Sequence, residues 1–175
     1  NLTAAPLLID YLRGVRRDDM VVIAPDAGRV KMAEKFASAL SLPVGVLVKR
    51  RLTGEEVTVQ QVMGEIAGRK VIVVDDMIST GGTIEKAAKA VMRAGAVEGI
   101  IVAAVHPLLV GEAIDRLNGV PITDLVVTDS VPLPPEKVAA LRARVHVQSI
   151  AGLLADTVRC LSEDRPISPL YGPTA

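Results

Sequence analysis

The sequence predicts an α/β domain: a doubly wound, mostly parallel sheet flanked by helices. Three observations lead there. Short Val- and Ile-rich runs alternate with stretches whose apolar residues fall at helical spacing, the pattern of successive βαβ units. Half of the residues are hydrophobic, yet the chain has two Tyr, one Phe and no Trp. Its core must therefore be Val, Ile, Leu and Ala, which suits strands buried on both faces better than an aromatic-packed sandwich. At 175 residues the chain is one domain long and can bury a core of its own.

The elements follow in order. Met20 to Ala24 (MVVIA) reads as a buried strand, and Pro25-Asp26-Ala27-Gly28 as the turn after it. From Arg29 to Leu40, apolar residues at Val30, Ala33, Ala37 and Leu40 predict a helix. Pro43 to Val48 is a second strand, and the polar stretch Lys49 to Val57 a loop. Lys70 to Val74 is a strand ending at Asp75-Asp76, and Ile84 to Ala94 a helix stopped by Gly95. Gly99 to Val105 is another strand, Gly111 to Leu117 a short helix, and Leu125 to Thr128 and Val145 to Val147 the last strands. A Pro-rich connection carries Pro132, Pro134 and Pro135; Ile150 to Ser162 is the final helix. Residues 1–163 are expected to form the domain and 164–175 an extended C-terminal tail.

Composition narrows the function. Twenty basic residues balance twenty acidic ones, so no global field draws the chain to nucleic acid or to an anionic membrane, and any anion site must be local. No apolar run approaches the roughly 18 residues of a membrane span. A single cysteine, Cys160, excludes an internal disulfide and suits a reducing, cytoplasmic setting; on the last helix it is expected to be core. The chain opens at Asn1 without an initiator Met and reads as a segment of something longer.

The chemistry concentrates in one uninterrupted run, Val71 to Thr83 (VIVVDDMISTGGT). A buried strand delivers Asp75 and Asp76 to its carboxyl end, where ligands bind in open α/β sheets. Ser79, Thr80, Gly81, Gly82 and Thr83 then lead into a helix. The glycines let backbone N–H groups converge, the hydroxyls add donors, and the helix N-terminus adds partial positive charge: a phosphate cradle. Phosphate at one end and two carboxylates at the other describe a phosphorylated sugar, its hydroxyls met directly or through a magnesium shell. No Lys follows the glycines, so this is not a P-loop. A capped helix with two surface acids is the plainer interpretation of an isolated TGGT; strand, acid pair and cradle in one run outweigh it.

This run resembles the fingerprint of type I phosphoribosyltransferases and of ribose-phosphate pyrophosphokinases, which share a fold. The resemblance implies that Asp75 and Asp76 meet the ribose 2- and 3-hydroxyls and that Ser79 to Thr83 hold the 5-phosphate. Other segments favour the pyrophosphokinases. Asn1 to Leu8 is similar to the segment after their first domain, and Val22 to Gly28 to their turn "SPDAGG", whose Asp helps organise magnesium, a role that falls to Asp26. Val48-Lys49-Arg50-Arg51 is similar to the start of their catalytic loop, "DKRR". His106-Pro107, Thr128 to Leu133 and Ser168 to Tyr171 also have counterparts.

Lys49 and Arg51 are then the catalytic candidates, since diphosphoryl transfer relies on positioning and cationic stabilisation. Arg50 between them is expected to face away, and His106 to be structural. The implied reaction is attack of the ribose 1-hydroxyl on the β-phosphorus of Mg-ATP, giving phosphoribosyl pyrophosphate and AMP. Mg2+, ribose 5-phosphate, ATP and a homo-oligomer are implied with it. The family's first domain supplies most of the ATP site, so this segment alone is expected to be inactive. Three departures stand out: Arg29 in place of a second Gly, Val48 in place of an acid, and Pro166 and Pro169 in place of tail serines. Two other readings remain. A nucleobase salvage phosphoribosyltransferase would need a base platform that Tyr11, Phe36 and Tyr171 do not obviously supply. A non-catalytic regulatory homologue would keep the ribose site alone.

Overall fold

The computed structural model describes residues 2–51 and 58–171, the side chains of 49–51, 58–60 and 171 excepted. Its strands are β1 (Met20–Ala24), β2 (Val44–Arg51), β3 (Thr58–Met63), β4 (Lys70–Ile78), β5 (Ile100–Pro107), β6 (Ile122–Thr128) and β7 (Arg144–Gln148). They form one sheet in the order β3-β2-β1-β4-β5-β6-β7. Every neighbouring pair is parallel except β2 and β3. The helices are α1 (Ala5–Val15), α2 (Val30–Leu40), α3 (Gly82–Arg93), α4 (Ala113–Asn118), α5 (Pro135–Ala140) and α6 (Ala151–Ser162), with 3-10 turns at Ala27–Arg29 and Ser168–Tyr171.

Alternation along the central strands builds two cores. In β1, Val21 and Ile23 pack with Ile84, Ala87, Ala88 and Val91 of α3. Met20, Val22 and Ala24 pack on the other face with Leu8 and Leu12 of α1 and Phe36 and Leu40 of α2. β1 is therefore buried along its whole length, as a parallel strand covered on both faces must be. The expected Val, Ile, Leu and Ala core is present, and Phe36 is its one fully buried aromatic among the described residues.

Several elements differ from expectation. β2 runs on through Arg51 and pairs antiparallel with β3, Lys49 opposite Gln60 and Arg51 opposite Thr58, where a loop was expected from Lys49. Residues 52–57 of that stretch lie outside the described residues. An edge hairpin needs apolar residues on one face only, so charges and glutamines hid it from a search for apolar runs. β4 continues past the acid pair, with Met77 opposite His106 and Ile78 opposite Pro107. α1 was not expected, although Ala5, Leu8, Ile9 and Leu12 are buried at helical spacing; nor was α5, which starts at Pro135 inside the Pro-rich connection. Cys160 is half-buried rather than core, because α6 buries no residue fully. In the segment expected to be extended, Ser168–Tyr171 makes a 3-10 turn.

Candidate functional site

Strand order sets the site's position. From β1 the sheet grows outward through β2 to β3 on one side and through β4 to β7 on the other. The crevice between the carboxyl ends of β1 and β4 is thus the topological switch point, where open α/β sheets bind ligands. Here the structure forms a cleft of about 190 Å³, lined by Asp26 and Arg29 after β1, by Asp75 and Asp76, and by the segment from Ser79 to Thr83. Every phosphate-loop and acid residue singled out from the sequence borders this one cleft.

The acids are not alike. The Asp75 side chain is 7% exposed and that of Asp76 48%, so Asp75 sits at the base of the cleft and Asp76 at its mouth. Arg29 spans both: Nε donates to Asp75 Oδ1 at 2.8 Å and Nη2 to Asp76 Oδ1 at 2.6 Å. Asp75 Oδ1 also accepts the Asp76 backbone N–H at 2.8 Å. Burial pushes the Asp75 carboxyl above the usual carboxylate range; the bonds from Arg29 and the Asp76 backbone pull it down without cancelling that effect. The same contacts, led by the bond to Asp75, raise the Arg29 pKa further and hold it charged.

The cradle is built from tight backbone. Gly81, at φ +75°, precedes the first residue of α3, and a Cβ there would stand 3.2 Å from the Ala113 carbonyl oxygen and 3.3 Å from its Cα. The loop is braced by β5 and the turn beyond it: Leu109 N–H donates to Ile78 O and Val110 N–H to Ser79 O, both at 3.0 Å. Arg116 of α4 donates from Nη1 to Thr80 O at 3.2 Å and pairs through Nη2 with Glu112 at 2.7 Å. Sequence reasoning did not find Arg116, because nothing local in α4 signals a partner 36 residues away. It did note Arg29 as unusual but had no means of placing its guanidinium.

The remaining candidates stand as follows. Lys49 and Arg51 are carried by the last residues of β2, and their side chains lie outside the described residues, as does that of Arg50. His106 Nδ1 lies 2.8 Å from Ser130 Oγ, whose hydroxyl donates to Val105 O at 3.1 Å; it joins the ends of β5 and β6. Tyr11 stacks at 5.0 Å on His146 of β7, and Phe36 is fully buried, so neither offers a base platform at the cleft. The magnesium implied by the resemblance does not fit the acid pair as it stands. A guanidinium already takes one oxygen of each carboxylate, and among the described residues no group of three acids, His or Cys could hold a metal ion.

Residues 4–127 match the family model described as the phosphoribosyl transferase domain. Over 174 residues the chain is 38% identical to ribose-phosphate pyrophosphokinase 1 of Lactococcus lactis and 40% identical to the ribose-phosphate pyrophosphokinase of Streptomyces avermitilis. Each alignment takes in 98% of this chain and 52% of the relative; the chain spans about half the length of these curated relatives. Among solved structures, phosphoribosylpyrophosphate synthetase from Mycobacterium smegmatis superimposes with a TM-score of 0.80 at 36% identity, over 92% of this chain and 51% of that one. Orotate phosphoribosyltransferase from Aeropyrum pernix, at 21% identity and a TM-score of 0.51, over 89% of this chain and 74% of that one, shares the fold.

Proposed function

The chain belongs to the phosphoribosyl transferase domain family, and from that premise we propose that it is the ribose 5-phosphate-binding and catalytic-strand portion of a ribose-phosphate pyrophosphokinase. One observation carries the reading: the acid pair and the Ser79–Thr83 loop meet in a single cleft at the switch point of the sheet. The sugar's 5-phosphate is held by the amides of residues 80–83 and the first turn of α3. Its 2- and 3-hydroxyls donate to Asp76 and to the base of the cleft at Asp75. That fixes the 1-hydroxyl outward, toward the nucleotide.

The 1-hydroxyl oxygen attacks the β-phosphorus of Mg-ATP and gives up its proton to solvent; the bond from that phosphorus to the α-phosphate oxygen breaks, and AMP leaves with that oxygen. Lys49 and Arg51, two residues apart on β2, offer their charges to the phosphoryl oxygens in the transition state. Asp26, which lines the same cleft, would meet the magnesium that arrives with ATP. Most contacts to ATP belong to the half of the relatives that this chain does not span, so turnover depends on that half. Self-association and a cytoplasmic setting complete the proposal, with residues 164–175 as a tail beyond the domain. No helix among the described residues is long and apolar enough to cross a membrane.

The test is release of AMP from ATP and ribose 5-phosphate by the longest native form of the protein, run beside base-dependent release of pyrophosphate. AMP release supports the reading, and pyrophosphate release only with an added nucleobase replaces it with a salvage transferase. A second reading draws on Arg29, whose hold on both acids suits a regulatory homologue that binds the sugar phosphate without turning it over. Ribose 5-phosphate binding with neither product would favour it.

A further inference from the structure

Two carboxylates facing one crevice are ordinarily brought together by a shared cation, and here the chain supplies its own. Arg29 reaches across the switch point from the turn after β1 and bonds Oδ1 of Asp75 and Oδ1 of Asp76 with one guanidinium. Asp26, on the same turn, adds a third negative charge that favours it. A divalent ion between the acids would lie against, and be repelled by, a planar, permanently charged group held by two charge-assisted hydrogen bonds. A pentose hydroxyl need not. The guanidinium engages one oxygen of each acid, so the second oxygen of each can still accept a hydroxyl. Two of its five N–H groups are committed to the acids, and the others can donate to ring or hydroxyl oxygens.

We infer that Arg29 is the resident cation of the acid pair and makes recognition of a 5-phosphorylated pentose cis-diol independent of a divalent metal. This rests on the sugar-phosphate reading above and deepens it. Arg29 becomes a specificity residue of the sugar pocket: it sets the spacing of the two carboxylates that the diol meets. Asp75, nearly enclosed, takes its cationic partner from Arg29 rather than from an ion drawn from solution.

The test is calorimetric titration of the protein with ribose 5-phosphate in magnesium-containing and in EDTA-containing buffer, for the wild type, Arg29→Gly and Arg29→Lys, with folding checked by circular dichroism. The wild type should bind equally in both buffers, within about twofold, a difference well under one tenfold step of affinity. Arg29→Gly exposes both carboxylates and should bind about tenfold more weakly in EDTA than in magnesium. Arg29→Lys keeps a charge but cannot fork onto two acids, and should likewise depend on magnesium; it carries the test if the glycine variant does not fold. Wild-type binding that requires magnesium overturns the inference. Binding by Arg29→Gly but not by the wild type also overturns it, making Arg29 a plug, while the sugar-phosphate reading survives. No binding by any of the three proteins in either buffer removes that reading and the inference with it.

Discussion

Gly81 is the residue on which the geometry of the cradle turns, and Gly81→Ala tests that geometry in isolation. Two costs add. A φ of +75° costs an L-residue about 1–2 kcal/mol relative to glycine. The new methyl also stands 3.2 Å from a carbonyl oxygen and 3.3 Å from a Cα of Ala113; these are backbone atoms of α4 that cannot swing aside as a side-chain tip would. Gly68 supplies the control. Its φ is +74°, nearly the same, yet nothing lies within 4 Å of its Cβ position. Gly68→Ala therefore carries the conformational cost and the same unfolded-state gain without the collision. Both variants should lose stability, by about 2–4 °C in melting temperature for each kcal/mol, and Gly81→Ala should lose more. Only Gly81→Ala should weaken ribose 5-phosphate binding, by about tenfold if the shifted loop forfeits one good amide–phosphate bond of roughly 1.4 kcal/mol. Thermal melts and calorimetry of the two variants side by side give the answer. If they match in stability, and Gly81→Ala binds like wild type, the loop is not braced on α4 as described.

Gly45→Ala would place a methyl 2.8 Å from Ile23 Cδ1 and 3.0 Å from Met63 O; the overpacking should cost about 1–3 kcal/mol by urea denaturation. At Asp124, burial pushes the carboxyl up, but bonds from Arg144 at 3.0 Å and His146 at 2.9 Å more than offset this and hold it below the usual carboxylate range. Its contribution is thus full above the unfolded carboxylate pKa and is lost as pH falls through the lower folded value, so Asp124→Asn should flatten the acid limb of a stability–pH profile. Lys49→Ala, assayed for AMP release in the longest native form, should lower turnover by about 100-fold and leave ribose 5-phosphate affinity nearly unchanged.

Much of the fold was readable because buried parallel strands announce themselves. MVVIA, VIVV and IIVAAV are apolar at successive positions only because helices cover both faces, and the βαβ inference follows from them. The edge did not read so well. TVQQVM carries glutamines because an edge hairpin needs apolar contact on one face only. α1 escaped for another reason: its Ala5, Leu8, Ile9 and Leu12 are periodic, but no breaker marks its start beyond Pro6. At the cleft, the acid pair and the loop were legible since strand, acids and glycines are contiguous in sequence. Arg29 and Arg116 were not, because their roles arise where β1 and α4 approach β4 and α3. That approach exists only after folding.

The most direct measurement is a crystal structure grown with excess ribose 5-phosphate. The phosphate should lie within hydrogen-bond reach of the amides of residues 80–83, with the 2- and 3-hydroxyls on Asp75 and Asp76 and the Arg29 guanidinium still bridging the two. An empty cleft at saturating sugar phosphate, or a sugar seated elsewhere while these acids remain closed on Arg29 alone, would contradict the account.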